Sequence, residues 1–444
     1  MAAVCPFRSP ASTAGHITTV KQAQEVVRPN IDWFPSYKVY KDRVERLAAL
    51  YPNRPTTLPA GWPSQVNAER TWSGSDFASE NDYIVHLSAD DITEIEGALA
   101  HFKGLKGDLG PDDVNPRTFP LPSLGTRLTD LANVIHNGRG FVVLRGLNPD
   151  KYSNYDNILV YLGVTSYIAE TRGLQDFDGR MLLHIQQVVA DVKKHGSMPN
   201  SPYVARAQPF HTDLCDVLSL YALDVAAYGG ESFLASSAKI YNEIARTRPD
   251  VIHVLAADDW PFDEFWEGQY HTRPLLYNFT SSSSSPPSGN TPNPDPVSTS
   301  NAGAGPGFQF SRRPLTGSHF SPHHPAVPSM SELQAEALDM VYFLAKEHAV
   351  EITLRKGDVQ IFNNFAMLHA RSSFGDDADH RRHMLRLWLR NDALRWTAAA
   401  AGSTALERIS YEIYGNNEYR RNAIWDIDRS PPELRVKHRR ASCA

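Results

Sequence analysis

Cysteine is scarce in this sequence: Cys5, Cys215 and Cys443 are the only three. Thiols so far apart build no disulfide framework of the kind that stabilises small secreted domains, and they match no zinc-ligand spacing. Cys443 stands too close to the last residue for a prenylation box. Excess positive charge is missing as well. The formal net charge is −6 and the pI near 6.3, which argues against the concentrated basic surface of a nucleic-acid binder. The basic residues Arg435, Lys437, Arg439 and Arg440 read as a solvated tail. No window approaches the roughly 18 uninterrupted apolar residues of a membrane span, and residues 1–19 lack the apolar core of an export signal. The expectation is a cytoplasmic protein that binds neither membrane nor nucleic acid. No internal repeat is visible.

What is present is ordinary globular composition, 41% hydrophobic and 21% charged over 444 residues, enough for one large β-rich domain with extensions. Residues 1–80 are rich in proline, polar and aromatic residues without sustained periodicity, and read as an N-terminal extension. The main domain is expected over 81–410, and residues 411–444 as a C-terminal tail. Within the domain, about 278–307 changes character: a serine run gives way to Pro, Asn and Gly, which cannot bury enough apolar surface to offset chain entropy. This segment reads as a flexible insertion.

Periodicity supplies the elements. Asp91 with Glu94 forms a capping-box pattern that opens a helix carrying Ile92, Ile95, Leu99 and Phe102. A second helix is predicted from Leu124 to His136, and a third from Ser331 to His348, with Leu333, Ala337, Met340, Val341 and Leu344 as its apolar stripe. The run 140–146, β-branched and bounded by glycines, predicts a buried strand. Further strands are predicted at 181–189, 217–226, 351–354, 359–362 and 382–389. Many short strands late in the chain, with helices before and between them, give an α+β, mainly β fold: a double-sheet jelly roll with helices packed outside.

The chemistry begins at His211-Thr212-Asp213. On a strand, positions two apart share a face, so one imidazole and one carboxylate can grip one ion. His369, read as following a strand in a short turn, offers a second imidazole. Two His and one carboxylate form the facial triad of non-heme iron oxygenases. Arg382 and Arg386 share one face of the predicted strand 382–389, interleaved with apolar residues. Two inward guanidiniums need an anionic partner, and a dicarboxylate is one that arginine binds bidentately. Phe210 beside the first ligand, and His184 on the strand-like run 181–189, are candidate pocket residues.

Together these residues resemble the taurine and 2,4-D dioxygenase (TauD/TfdA-like) family of Fe(II)/2-oxoglutarate-dependent dioxygenases. The run 140–146 resembles that family's early strand, Gly229-Gly230-Glu231-Ser232 its Gly-Gly-Asp-Thr segment, and Asn364 the Asn of its Trp-Asp-Asn segment. The resemblance spans roughly residues 120–395. It implies a clavaminate synthase-like double-stranded β-helix, iron(II) on His211, Asp213 and His369, and 2-oxoglutarate and dioxygen as cosubstrates. Arg382 and Ser232 would hold the distal carboxylate of 2-oxoglutarate. Arg386 would meet a substrate acid group or the other carboxylate. The long insertion and general look resemble fungal members, which implies a small acidic, amino-acid-like or natural-product substrate in secondary metabolism. The competing reading is a cupin-like metal-binding jelly roll without oxygenase activity, which keeps the triad but has no use for paired arginines.

Overall fold

Apolar residues on both faces of the run 140–146 dictate a strand covered from both sides, and Phe141–Arg145 is buried throughout. The computed structural model describes residues 28–176, 178–187, 203–264, 268–281, 304–318, 322–398, 403–415 and 423–427. In it, Phe141–Arg145 pairs in parallel with Ile84–His86 and antiparallel with Val359–Asn363. The major sheet continues through Val217–Asp224 and His383–Arg390 to Thr171–Arg172, with Leu183–Gln186 also paired to His383–Arg390. A second sheet orders Val350–Ile352, Ser232–Ser236, Met367–Arg371 and Gln208–His211.

Side-chain alternation sorts these strands into three apolar layers. Val142, Leu144, Val359, Ile361, Leu385 and Leu387 point outward from the major sheet, onto helices Ala89–Gly104, Leu124–His136 and Asn154–Ser166. Phe210, Ala235, Leu368 and Ala370 point outward from the second sheet, under helices Ser237–Thr247, Pro249–Leu255 and Glu332–His348. Between the sheets, Phe141, Leu218, Phe362, Met384 and Trp388 meet Leu234 and Met367. No helix among the described residues is long and apolar enough to cross a membrane.

Several boundaries differ from the periodicity reading. The helix expected to open at Asp91 starts two residues earlier, capped by Ser88: the Ser88 hydroxyl accepts from the Asp91 N–H at 3.2 Å and the Asp91 carboxylate accepts from the Ser88 N–H at 2.8 Å. Asp91 is thus the box's third residue, where its charge also faces the helix N-terminus. Ser331 caps Glu332–His348 in the same way through Gln334. The strand expected at 382–389 runs His383–Arg390.

Residues 28–80 join the body of the fold. Helix Tyr37–Leu50 lies against Glu332–His348, with Arg43 bonded to Asp339 at 2.6 Å, and Arg312 reaches the same carboxylate at 2.8 Å. At the other end, Ile424 exchanges backbone hydrogen bonds with Gly179 and Met181 at 2.8 and 3.0 Å. Of the expected insertion, Leu276–Ser281 is a strand paired with Pro306–Phe308; residues 282–303 lie outside the described residues.

Two expected outcomes follow from this packing. A Cβ on Gly163 would stand 2.4–2.6 Å from the buried Phe119 ring. Overpacking costs about 1–3 kcal/mol, against about 1 kcal/mol gained from helix propensity, so Gly163→Ala lowers the melting temperature. His136 is buried, with Nδ1 on the Ala132 carbonyl at 2.7 Å and Nε2 without a partner among the described residues. Burial lowers its pKa to about 4, whereas the unfolded imidazole titrates near 6.5. Its neutral form therefore costs nothing above about pH 6.5, and stability is lost as pH falls toward 4, by on the order of 2 kcal/mol at pH 5. Urea midpoints at pH 7 and 5 will differ less in His136→Leu than in the wild type.

Candidate metal centre

His211 ends strand Gln208–His211 and lies directly opposite His369 on Met367–Arg371. Opposed residues of an antiparallel pair project from the same face, and the two imidazole centroids are 4.0 Å apart. His369 thus sits within a strand, where the sequence reading had placed it in a turn. Asp213 departs in the other direction, since the strand stops before it. Its place is fixed by Asn364 instead. The Asn364 amide oxygen accepts from the Asp213 N–H at 2.8 Å, while its NH2 donates to the Asp213 and Cys215 carbonyls at 2.8 and 2.6 Å. Gln309 adds a third bond, to the Asp213 carbonyl at 3.0 Å.

The side chains then converge. The His211 Nδ1 faces the Pro209 carbonyl at 2.9 Å; a carbonyl can only accept, so Nδ1 carries the proton and Nε2 keeps its lone pair. That Nε2 is 3.8 Å from Asp213 Oδ1. One ligand atom from each of His211, Asp213 and His369 lies within 4.8 Å of the others. The two carboxylate oxygens of Asp213 differ. Oδ2 accepts from Arg386 Nη1 and from the Trp388 indole N–H, both at 2.9 Å. Oδ1 is buried with no partner among the described residues.

Electrostatics prepares all three for a cation. Burial pushes both imidazoles below their ordinary pKa, His369 well below, so both are neutral donors at pH 7. Burial alone would raise the Asp213 carboxyl, but the charge of Arg386, the two imidazoles and the Trp388 bond outweigh it and leave it lowered. Two neutral nitrogens, one anionic oxygen and an orphaned lone pair suit a divalent first-row metal with coordination positions to spare.

Beyond the triad lies a cationic recess. Arg386 projects from the same strand face as Met384 and Trp388, inward between the sheets, and Arg382 is buried one residue before that strand begins. Arg386 Nε donates to Gln175 at 2.8 Å, and its Nη2 has no partner among the described residues. Arg382 is buried, and its Nε and Nη1 are likewise unpartnered. Burial lowers its pKa to about 10, so it remains charged. Ser232 stands opposite, its hydroxyl on Gln360 Oε1 at 2.9 Å, leaving Gln360 Nε2 unused. Gly230 adopts φ +82°, and a Cβ there would meet Arg382 Cδ at 3.4 Å; the glycine lets backbone and guanidinium approach.

Two expected pocket residues are elsewhere. His184 pairs with Leu385, whose side chain belongs to the outer layer, so His184 faces away from the metal centre; its ring bonds His383 at 2.8 Å and the Asp426 carbonyl at 2.6 Å. Phe210 is out of phase with His211 on its strand and packs edge-on against Tyr342 of helix Glu332–His348. Trp388 and Gln175 were not anticipated. Trp388 was legible, being two residues from Arg386 on the same face; Gln175 and Gln309 come from irregular segments that carry no periodic signal.

A family model described as "Taurine catabolism dioxygenase TauD, TfdA family" matches residues 101–388. The chain is 36% identical over 344 residues to the taurine hydroxylase-like protein SAT17 of Stachybotrys chartarum (strain CBS 109288 / IBT 7711), covering 75% of this chain and 81% of that protein. It is 23% identical over 298 residues to FR-33289 synthase of Streptomyces rubellomurinus (strain ATCC 31215), covering 62% and 76%. A solved asparagine oxygenase in complex with Fe(II), 2S,3S-3-hydroxyasparagine and succinate superposes at a TM-score of 0.49 with 15% identity, over 69% of this chain and 93% of that one.

Removing the Asn364 clamp tests how far the carboxylate depends on it. Asn364→Ala leaves the Asp213 backbone groups without this partner and is expected to weaken Mn(II) binding about 10–100-fold, read by electron paramagnetic resonance titration.

Proposed function

The chain belongs to the taurine catabolism dioxygenase TauD, TfdA family, and on that premise we propose that it oxidises a C–H bond of a small acidic, amino-acid-like or natural-product substrate in secondary metabolism. Iron(II) is the metal, and 2-oxoglutarate and dioxygen are the cosubstrates. Under this reading the two facing sheets form a double-stranded β-helix, and the compartment is the cytoplasm, in keeping with the buried free thiol of Cys215. The likeness to a taurine hydroxylase-like protein and to FR-33289 synthase supports a small-molecule substrate.

One observation carries the assignment. Three ligand atoms sit within 4.8 Å of one another, and the single unpartnered carboxylate oxygen of Asp213 is opposite the one that Arg386 and Trp388 hold. His211, Asp213 and His369 would hold the iron, which together with 2-oxoglutarate supplies an oxidant strong enough for an unactivated C–H bond. Everything else is the work of the chain. Arg382 and the free Gln360 Nε2, whose amide is oriented by the Ser232 hydroxyl, offer donors to the distal carboxylate of 2-oxoglutarate. Arg386 has two duties: Nη1 fixes the rotation of the Asp213 carboxylate, and Nη2 remains for an acidic group of the substrate or the cosubstrate. The apolar filling between the sheets keeps bulk water from the reacting centre.

The assignment is checked by anaerobic reconstitution with Fe(II), titration with 2-oxoglutarate, and then aerobic succinate release in the presence of amino acids and small acids. Wild-type protein is expected to bind 2-oxoglutarate and to release succinate faster with a substrate. His211→Ala and Asp213→Ala are expected to abolish that release and to keep a cooperative melting transition. Iron uptake without any 2-oxoglutarate binding would instead favour a cupin-like metal protein, and undiminished turnover in Asp213→Ala would remove Asp213 from the ligand set.

A further inference from the structure

Arg371 has no part in the assignment above, yet it stands at the same recess. Met367, His369 and Arg371 alternate onto one face of their strand, and Met367 fills the layer between the sheets. Arg371 is therefore inward-facing, one pleat beyond His369. Its cross-strand partner is Ser232. Its guanidinium is buried and, among the described residues, tied to neutral acceptors: Nη2 donates to the carbonyls of Val204 and Arg206 at 2.7 and 2.5 Å, and Nε to the Ser372 carbonyl at 3.3 Å. Nη1 has no partner among the described residues. Carbonyls fix the side chain in place without adding a negative charge.

Arg382 also has Nε and Nη1 without a hydrogen-bond partner among the described residues, while the Asp376 carboxylate nearby favours its charge. The Asp376 carboxylate accepts from the Arg382 backbone N–H at 3.0 Å, leaving those guanidinium donors unused. Both guanidiniums lie against a single ring, Phe374, at 4.8 Å for Arg371 and 5.4 Å for Arg382. The segment carrying Gly230 and Ser232 adjoins both: a Cβ on Gly230 would stand 3.4 Å from Arg382 Cδ, and Ser232 is paired with Arg371. Two buried like charges with unused donors are expensive unless an anion completes them.

We propose that Arg371 is a second guanidinium for the distal carboxylate of 2-oxoglutarate, acting beside Arg382, so that this chain discriminates for a dianionic 2-oxo acid with two cations. The proposal rests on the oxygenase reading of the site. Gln360 Nε2, oriented by Ser232, supplies a neutral donor, and Arg371 supplies charge and its unpartnered Nη1.

The test compares two ligands that present the same chelating end. 2-Oxopentanoate has the chain of 2-oxoglutarate with a methyl group where the distal carboxylate would be. Dissociation constants for both are measured by anaerobic calorimetry on Fe(II)-loaded wild type, Arg371→Gln and Arg371→Lys, each checked by thermal melting. The wild type is expected to prefer 2-oxoglutarate strongly, and Arg371→Gln to narrow that preference about tenfold or more, with Arg371→Lys between the two. If Arg371→Gln binds both ligands more weakly by the same factor, or binds both as the wild type does, Arg371 is only a tether for residues 204–206 and the proposal falls. Should Arg371→Gln fail to fold, Arg371→Lys decides: it keeps a charge and loses the fork, so a narrowed preference supports the proposal and an unchanged one overturns it. A wild type that takes up iron and binds no 2-oxoglutarate sinks the oxygenase reading, an outcome distinct from an unchanged preference in the variants.

Discussion

The centre depends on how one buried carboxylate is divided. Asp213 is fully enclosed, and an isolated charge there would be prohibitive. Arg386 and Trp388 hold one oxygen, which stabilises the anion and fixes its rotation; the other oxygen is left for a cation. The cost of burial is thereby turned into orientation. The same logic explains why Asn364 and Gln309 bind the backbone of Asp213 and not its side chain: the residue lies beyond its strand, so no sheet ladder is available to hold it.

The two sheets contribute unequally. The second sheet brings the imidazoles together by simple cross-strand opposition, an arrangement that needs only register. The major sheet supplies charge, through alternate residues of His383–Arg390 that would be untenable if the strand slipped by one residue and sent Arg386 into the outer apolar layer. Register on one sheet and alternation on the other bring the two imidazoles and the Arg386 guanidinium to the Asp213 carboxylate.

Much of this could be read in the sequence. The buried strand read at 140–146 and the helices read at 124–136 and 331–348 follow from period, and spacing singled out His211, Asp213 and His369, whose ligand atoms lie within 4.8 Å of one another. What could not be read was direction. Phe210 was placed near the site by proximity in sequence and His184 by its strand-like run, yet on a strand one step along the chain reverses the face; without the pairing partner the sign of that step is unknown. His211 and Asp213 illustrate a subtler point. Their two-residue spacing suggested a shared strand face, whereas the convergence is produced by a strand ending and an asparagine clamp. Arg371 escaped notice because a single arginine after a histidine is unremarkable until the strand across from it is known to carry Ser232.

The hairpin of Leu276–Ser281 with Pro306–Phe308 has an architectural consequence. Its register clamps the two ends of the excursion together immediately before Gln309, which grips the Asp213 carbonyl. The hairpin is thus a splice junction. Chain can be lengthened or shortened between its arms at an entropic cost that grows only with the logarithm of loop length, and the junction isolates Asp213 from such edits. Lineages could remodel this excursion freely while the residue just past the junction stays pinned.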